Sequence, residues 1–253
     1  MLEVWVRVQA NFLYLEPVLR AEDIRTTLPR EAREFEHAAE TWRSITARVK
    51  PGIPVVVLVA SFNLLQLLTE ADQGLERILK GLNAYLEMKR ERFPRFYFLS
   101  NEELLEILGE SKKPERVQIH LKKCFEGIDR VIFEPRAQGP AITGLVSKEG
   151  ELVELLREVT PVEFQNNVEQ WLLELEAQME LSMQDLIHRC VVEYARARAD
   201  LELRKRWLLA WQGQAILVSS QQAWTERVEA ALSSPSSARA LSKCFKESEQ
   251  NLA

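Results

Sequence analysis

Apolar positions along most of this chain recur at alternating spacings of three and four, the repeat of a helix with one buried face. Trp5, Val8, Phe12 and Leu15 form such a stripe over Leu2–Glu16, and Pro17 is expected to kink or end that helix. Pro29 is well placed to start the next one, because its missing donor would be unpaired there anyway. Phe35, Ala39, Trp42, Ile45 and Val49 give that helix its stripe, and Pro51-Gly52 stops it. Leu64, Leu68, Ala71, Leu75, Ile78, Leu82 and Tyr85 then trace the seam of a long helix packed lengthwise on its neighbours. Gly74 and Gly81 lie inside it, each costing about 1 kcal/mol against alanine. They mark either close approach of another helix or simple tolerance.

The stretch from Phe93 to Leu108, FPRFYFLSNEELLEIL, predicts a corner between two helices. Pro94 pushes Phe93 toward an extended backbone and stops the long helix. Ser100 and Glu103 form an S-x-x-E capping box, and Leu99 with Leu104 supplies the hydrophobic staple. The aromatics of this stretch, Phe96 and Phe98 among them, are expected to brace the corner.

Val117, Leu121, Cys124 and Phe125 mark a short helix closed by Gly127. The period then changes. Arg130–Phe133, Ile142–Val146 and Leu152–Leu155 are short β-type runs separated by Pro135, Gly139-Pro140 and Glu149-Gly150, which predicts a small β-meander among the helices. After Pro161 a second long helix is expected, with Val168, Leu172, Leu175, Met179, Leu186 and Cys190 on one face, running to about Arg198. A passage from Trp207 to Trp211 leads through Gly213 to a last clear helix with the stripe Leu217, Gln221, Trp224, Val228 and Ala231. Ser233–Ser237 reads as a linker, and 238–253 as a weak helix or a frayed end.

The apolar run Ile53–Leu68 is shorter than the about 20 residues a bilayer requires. Pro54, Ser61, Asn63 and Gln66 interrupt it, so it reads as buried core and not as a membrane span. Val55–Val59 fits a strand as well as a helix.

Composition narrows the function classes. A net charge of −5 and a pI near 5.5 do not suit nucleic-acid binding, which needs a basic surface. The clusters Lys89–Arg95 and Arg204–Arg206 read as solvated helix faces. Cys124, Cys190 and Cys244 lie far apart without a C-x-x-C spacing, as reduced intracellular thiols do. MLEVWVRVQANF lacks the parts of a signal peptide and reads as a helix already under way, so a natural fold is expected to begin before it.

No P-loop, G-x-S-x-G, H-E-x-x-H or calcium-loop pattern occurs, so neither catalytic nor cofactor-binding residues are expected. Glu34-x-x-His37 and Asp185-x-x-His188 have the i, i+3 spacing of di-iron bundle ligands. Both histidines, however, point about 200° away from the stripes at Phe35 and Leu186, so no metal site is expected. Glu102, Glu106 and Glu110 line one side of the helix after Ser100, which suits a solvated face or a basic partner.

Phe93–Leu108 followed by HLKKCFEGI at His120–Ile128 resembles the linker region of dynein heavy chains. The resemblance extends in order through VQANFLYLEPVL with EDI (Val8–Ile24), LPREAREF with Trp42, LKGLNAYLEMKR (Leu79–Arg90), SKEGELVEL (Ser147–Leu155), VEQWLLELE (Val168–Glu176) and AWTERVEAAL (Ala223–Leu232). LSNEELLEIL and KCFEGI are closer to axonemal than to cytoplasmic members, whereas Pro54–Asn63 departs from the family's usual sequence.

The resemblance implies a mainly α fold, an elongated, arch-like stack of helical bundles with the β-meander inserted. It implies a mechanical lever that couples ATP-driven changes in an AAA+ ring, absent from these residues, to force along microtubules in the cytoskeleton of a ciliary axoneme. Partners would be that ring and, only indirectly, intermediate chains, light chains and microtubules; neither nucleic acid nor membrane is expected. The expected divisions are 1–127, 128–160, 161–232 and 233–253, with a hinge in Ile128–Glu163. A reading from another class is a free-standing helical scaffold that binds partner helices in its grooves.

Overall fold

A computed structural model describes residues 1–49, 63–111, 113–165, 167–198 and 200–250. The fold is mainly α with a small three-stranded antiparallel sheet inserted, of strand order β1-β2-β3. Two compact units share the chain. The first comprises Met1–Arg130, Pro135–Pro140 and Thr160–Leu173, and the second Val131–Glu134, Ala141–Val159 and Glu174–Ala253.

In the first unit, helix α1 (Leu2–Arg20) buries Val8, Phe12, Leu15 and Leu19. It continues through Pro17, which was expected to kink or end it. Proline removes one backbone donor, so the carbonyl of Leu13 loses its partner, but Leu13 lies on an exposed side where water can satisfy it. Leu19, buried two residues past Pro17, anchors the continuation. The short α2 (Glu22–Thr27) leads to α3 (Pro29–Arg48), with Pro29 in the first turn as expected. Phe12 stacks on Phe35 at 5.5 Å, and Trp5 meets Trp42 edge-on at 5.2 Å. The predicted stripe of α3 holds as far as Ile45; Val49 lies past the helix end and is exposed. The strand-or-helix alternative at Val55–Val59 lies outside the described residues.

Helix α4 (Leu64–Arg92) buries every residue of its predicted seam, together with Asp72, Leu86 and Arg90. Asp72 accepts from Arg7 Nε at 2.9 Å, tying α4 to α1. The two glycines differ. A Cβ on Gly81 would fall 2.8 Å from the Glu31 carboxylate of α3, whereas one on Gly74 would meet only Arg77, at 3.9 Å. Gly81 thus faces a side chain of the neighbouring helix, which would have to shift for a Cβ, whereas tolerance explains Gly74. After a 3-10 turn (Pro94–Phe98) come α5 (Asn101–Gly109) and α6 (Pro114–Cys124).

The strands are β1 (Ile128–Arg136), β2 (Gly139–Ser147) and β3 (Leu152–Val159). β2 and β3 are antiparallel, with Leu145 opposite Val153 and a register irregularity between Ile142 and Gly144. Gly150 adopts φ +86° in the turn between them, a conformation glycine takes without penalty. A 3-10 turn (Pro161–Phe164) precedes α7 (Val168–Ala197), which ends within a residue of expectation.

The second unit's core gathers Leu186, Cys190 and Ala197 of α7, Trp207 of α8 (Leu201–Ala210) and Ala215 of α9 (Gly213–Leu232). Trp207 Nε1 donates to the Cys190 carbonyl at 3.2 Å, and its ring lies 4.6 Å from Tyr194. The stripe expected for α9 is corrected. Leu217, Gln221 and Trp224 are exposed; of the expected stripe Ala231 is buried and Val228 half-buried, and the helix also buries Ala215 and Ser219. Small side chains allow the closer approach, and periodicity read from large residues selects the opposite face. At the start of α9, Gly213 N–H donates to Glu151 Oε1 at 2.8 Å, and Gln212 Nε2 donates to the Leu152 carbonyl at 2.7 Å. The chain closes with α10 (Ser237–Gln250). Among the described residues no helix is long and apolar enough to cross a membrane.

Candidate functional site

The end of α4 forms a corner held by a dense set of bonds. Lys89, Arg90 and Arg92 occupy its last turn, where cations complement the unpaired carbonyls of a helix C-terminus. Arg90 is 9% exposed and reaches over the corner, donating to the Leu99 carbonyl at 3.2 Å and to Asn101 Oδ1 at 2.8 Å. Its other amino group donates to Glu87 at 2.8 Å. One buried guanidinium thus fixes the end of α4 to the start of α5.

The 3-10 turn decides which aromatics brace the corner. With three residues per turn, positions three apart share a side. Phe93, Phe96 and Leu99 are accordingly buried, while Tyr97 is 58% and Phe98 69% exposed. The expectation that Phe98 braces the corner is therefore corrected. Phe93 and Phe96 meet edge-on with ring centres 4.9 Å apart, and Phe125 closes the cluster 6.1 Å from Phe93. Arg95 lies over the Phe125 ring at 4.9 Å and donates to the Cys124 carbonyl at 3.1 Å. Tyr97 uses its exposure to donate to Glu87 Oε2 at 3.2 Å.

The capping box forms as read. Glu103 N–H donates to Ser100 Oγ at 3.2 Å, and Ser100 N–H donates to Glu103 Oε2 at 3.0 Å. Lys123 of α6 pairs with the same carboxylate. That bond, with the Ser100 N–H, holds the Glu103 carboxyl below its usual range. Burial pushes the Cys124 thiol up to about 11, making it a packing group and not a nucleophile.

A second fastening was not legible in the sequence. Glu169, in the first turn of α7, is 1% exposed and forms a buried ion pair with Lys89; Arg92 stands 3.5 Å from the same oxygen. Tyr85 lies beside this pair, its phenol raised to about 12 by burial and then by the Glu169 charge. Nothing local distinguishes Glu169 from a surface glutamate; its partner is distant in sequence.

The spaced carboxylate and histidine pairs remain on helix surfaces. Glu34 meets Arg30 at 3.1 Å and Arg77 at 3.9 Å, Asp185 meets Arg189 at 2.7 Å, and His37 and His188 are exposed. Among the described residues no three side chains of His, Cys, Asp or Glu come together as a metal site would require. Glu106 lies 3.3 Å from His120 Nε2, and Glu110 lies 2.6 Å from Arg116.

Residues 1–190 match the family described as "Dynein heavy chain, N-terminal region 2". The chain is 40% identical over 251 residues to human dynein axonemal heavy chain 12, covering 99% of this chain and 8% of that protein. It is 40% identical over 231 residues to human dynein axonemal heavy chain 3, covering 91% of this chain and 5% of the relative. Rat dynein axonemal heavy chain 1 is also 40% identical, over 235 residues and with 93% and 5% covered. The chain thus spans less than a tenth of these relatives' length, and by both the family match and the identity over nearly all its residues it belongs to the dynein heavy chain family.

Proposed function

We propose that this chain is a force-transmitting segment of the linker of an axonemal dynein heavy chain. In this reading the ATPase ring of the same polypeptide does the chemistry and these helices carry its conformational change toward the microtubule. Intermediate chains, light chains and microtubules are engaged only through other parts of the motor, whose place is the ciliary axoneme. The chain itself turns over no ATP.

The observation that carries the reading is the braced corner. A lever must hold the angle between its helices, and here two fully buried phenylalanines and the Arg90 guanidinium fix that angle. Bending is assigned to residues 128–163. The support is that four of the five exchanges of chain between the two compact units, at 130/131, 134/135, 140/141 and 159/160, fall within those residues, the fifth being at 173/174.

The test is a full-length axonemal heavy chain carrying this segment with Phe93 and Phe96 both replaced by alanine. Expected is a several-fold slower microtubule gliding speed with ATP turnover close to the parent's, because the coupling and not the chemistry is weakened. Equal loss of speed and turnover, or no loss of speed, contradicts a lever role for the corner. Paired fluorescent labels flanking 128–163 in the same motor check the hinge; a distance that stays fixed through the nucleotide cycle contradicts it.

A further inference from the structure

The first unit carries a groove that the lever reading does not use. It is a cleft of about 530 Å3 among α1, α2 and α5, floored by Leu13, Pro17, Val18 and Leu105. Its edge is formed by Glu102, Glu106 and Glu110. From Glu102 to Glu110 the edge rises about 12 Å, two turns of an α-helix.

Three features say what would fill it. First, the floor is apolar and open: Leu13 is 59% exposed, and a Cβ added at Gly109 would meet nothing within 4 Å. Second, among the described residues the lining carries three carboxylates and neither lysine, arginine nor histidine. His120 and Arg116 offset Glu106 and Glu110 in part, whereas Glu102 has no ion-pair partner among the described residues. Its charge adds to burial in raising the Tyr14 phenol within the groove. Third, the carboxylates recur at every fourth residue, the spacing at which a helix lying alongside presents its own side chains. An anionic lipid surface is repelled by such an edge, and a cation alone leaves the apolar floor uncovered.

We propose that this groove docks a basic amphipathic helix of a partner protein. Two turns of that helix set an apolar stripe between Leu13 and Gly109 and place lysines or arginines at i and i+4 against Glu102, Glu106 and Glu110. The proposal does not depend on the lever reading, because it concerns a surface that the corner leaves free.

The test uses the whole 253-residue chain and two labelled synthetic helical peptides of about fourteen residues, roughly four turns. Both carry the same leucine stripe; one flanks it with lysines, the other with glutamates. Fluorescence anisotropy is expected to show saturable binding of the lysine peptide, at least about tenfold tighter than the glutamate peptide and weakened by added salt. Glu102→Lys, an exposed change, should weaken the lysine peptide about fivefold. Gly109→Trp should abolish binding by filling the floor, with far-UV circular dichroism unchanged. Equal binding of both peptides, binding of neither, or lysine-peptide binding that survives Glu102→Lys undiminished overturns the proposal. Self-association of the chain that Glu102→Lys abolishes and that excludes the peptide also overturns it, since the occupant would then be a second copy.

Discussion

Lys89 and Glu169, eighty positions apart in the chain, form an ion pair whose side chains are 11% and 2% exposed. Breaking one partner of such a pair strands a charge away from water, a loss of about 3–5 kcal/mol, whereas replacing both with apolar residues removes the desolvation cost as well. Glu169→Leu should be the more damaging single change, because it leaves Lys89 buried beside Arg92; Lys89→Met leaves Glu169 with Arg92 still 3.5 Å away. Urea unfolding of the two single variants and the double variant checks this. A double variant as unstable as the sum of the singles would show that the two are not coupled.

Phe96→Ala should cost about 3–5 kcal/mol by opening a cavity against Phe93. Phe98→Ala, at a largely exposed side chain, should stay within about 0.5 kcal/mol. Thermal melts of the two variants decide it; equal losses would contradict the three-residue period assigned to the turn.

Ser182 joins α7 to the sheet in the second unit. Its hydroxyl donates to the Gln178 carbonyl and accepts the Leu156 N–H at 2.9 Å, and the residue is 3% exposed. Ser182→Ala leaves a strand donor without its partner and should cost about 1–3 kcal/mol. Faster amide exchange at Leu156 in the variant is the direct measurement; unchanged exchange counts against the link.

The buried thiol of Cys124 sets an alkaline limit. Its folded pKa of about 11 lies above the ordinary 9.0, so the unfolded chain ionises first as pH rises. The stability that depends on the neutral thiol is complete below about pH 9 and is lost through about pH 11, on the order of 2 kcal/mol. Tyr85, raised from 10.0 to about 12, continues the loss at higher pH. Urea midpoints should fall between pH 9 and 11, and Cys124→Ala should flatten that fall. A parent slope retained in the variant would assign the loss elsewhere.

What could be read from sequence was local. The corner's capping box and staple, the α4 seam and the β-meander are written in neighbouring residues, and dense motifs carried the family resemblance. Two of the misreadings share one cause. Phe98 and Trp224 are large apolar side chains that pattern alone directs inward. The 3-10 period turns Phe98 outward, and the small Ala215 and Ser219 take the buried face of α9. Glu169 and Ser182 needed partners distant in sequence before their burial made sense.

The Glu151 carboxylate at the head of α9 carries one more consequence. That helix has no side-chain cap of its own, and the acceptor for Gly213 comes from the turn between β2 and β3, sixty-two residues earlier. The first turn of α9 and the β2–β3 turn are therefore joined by two bonds, each between a side chain on one and the backbone of the other. Loosening either end frays the other, so a disturbance of the hairpin is felt at once at a helix start far along the chain.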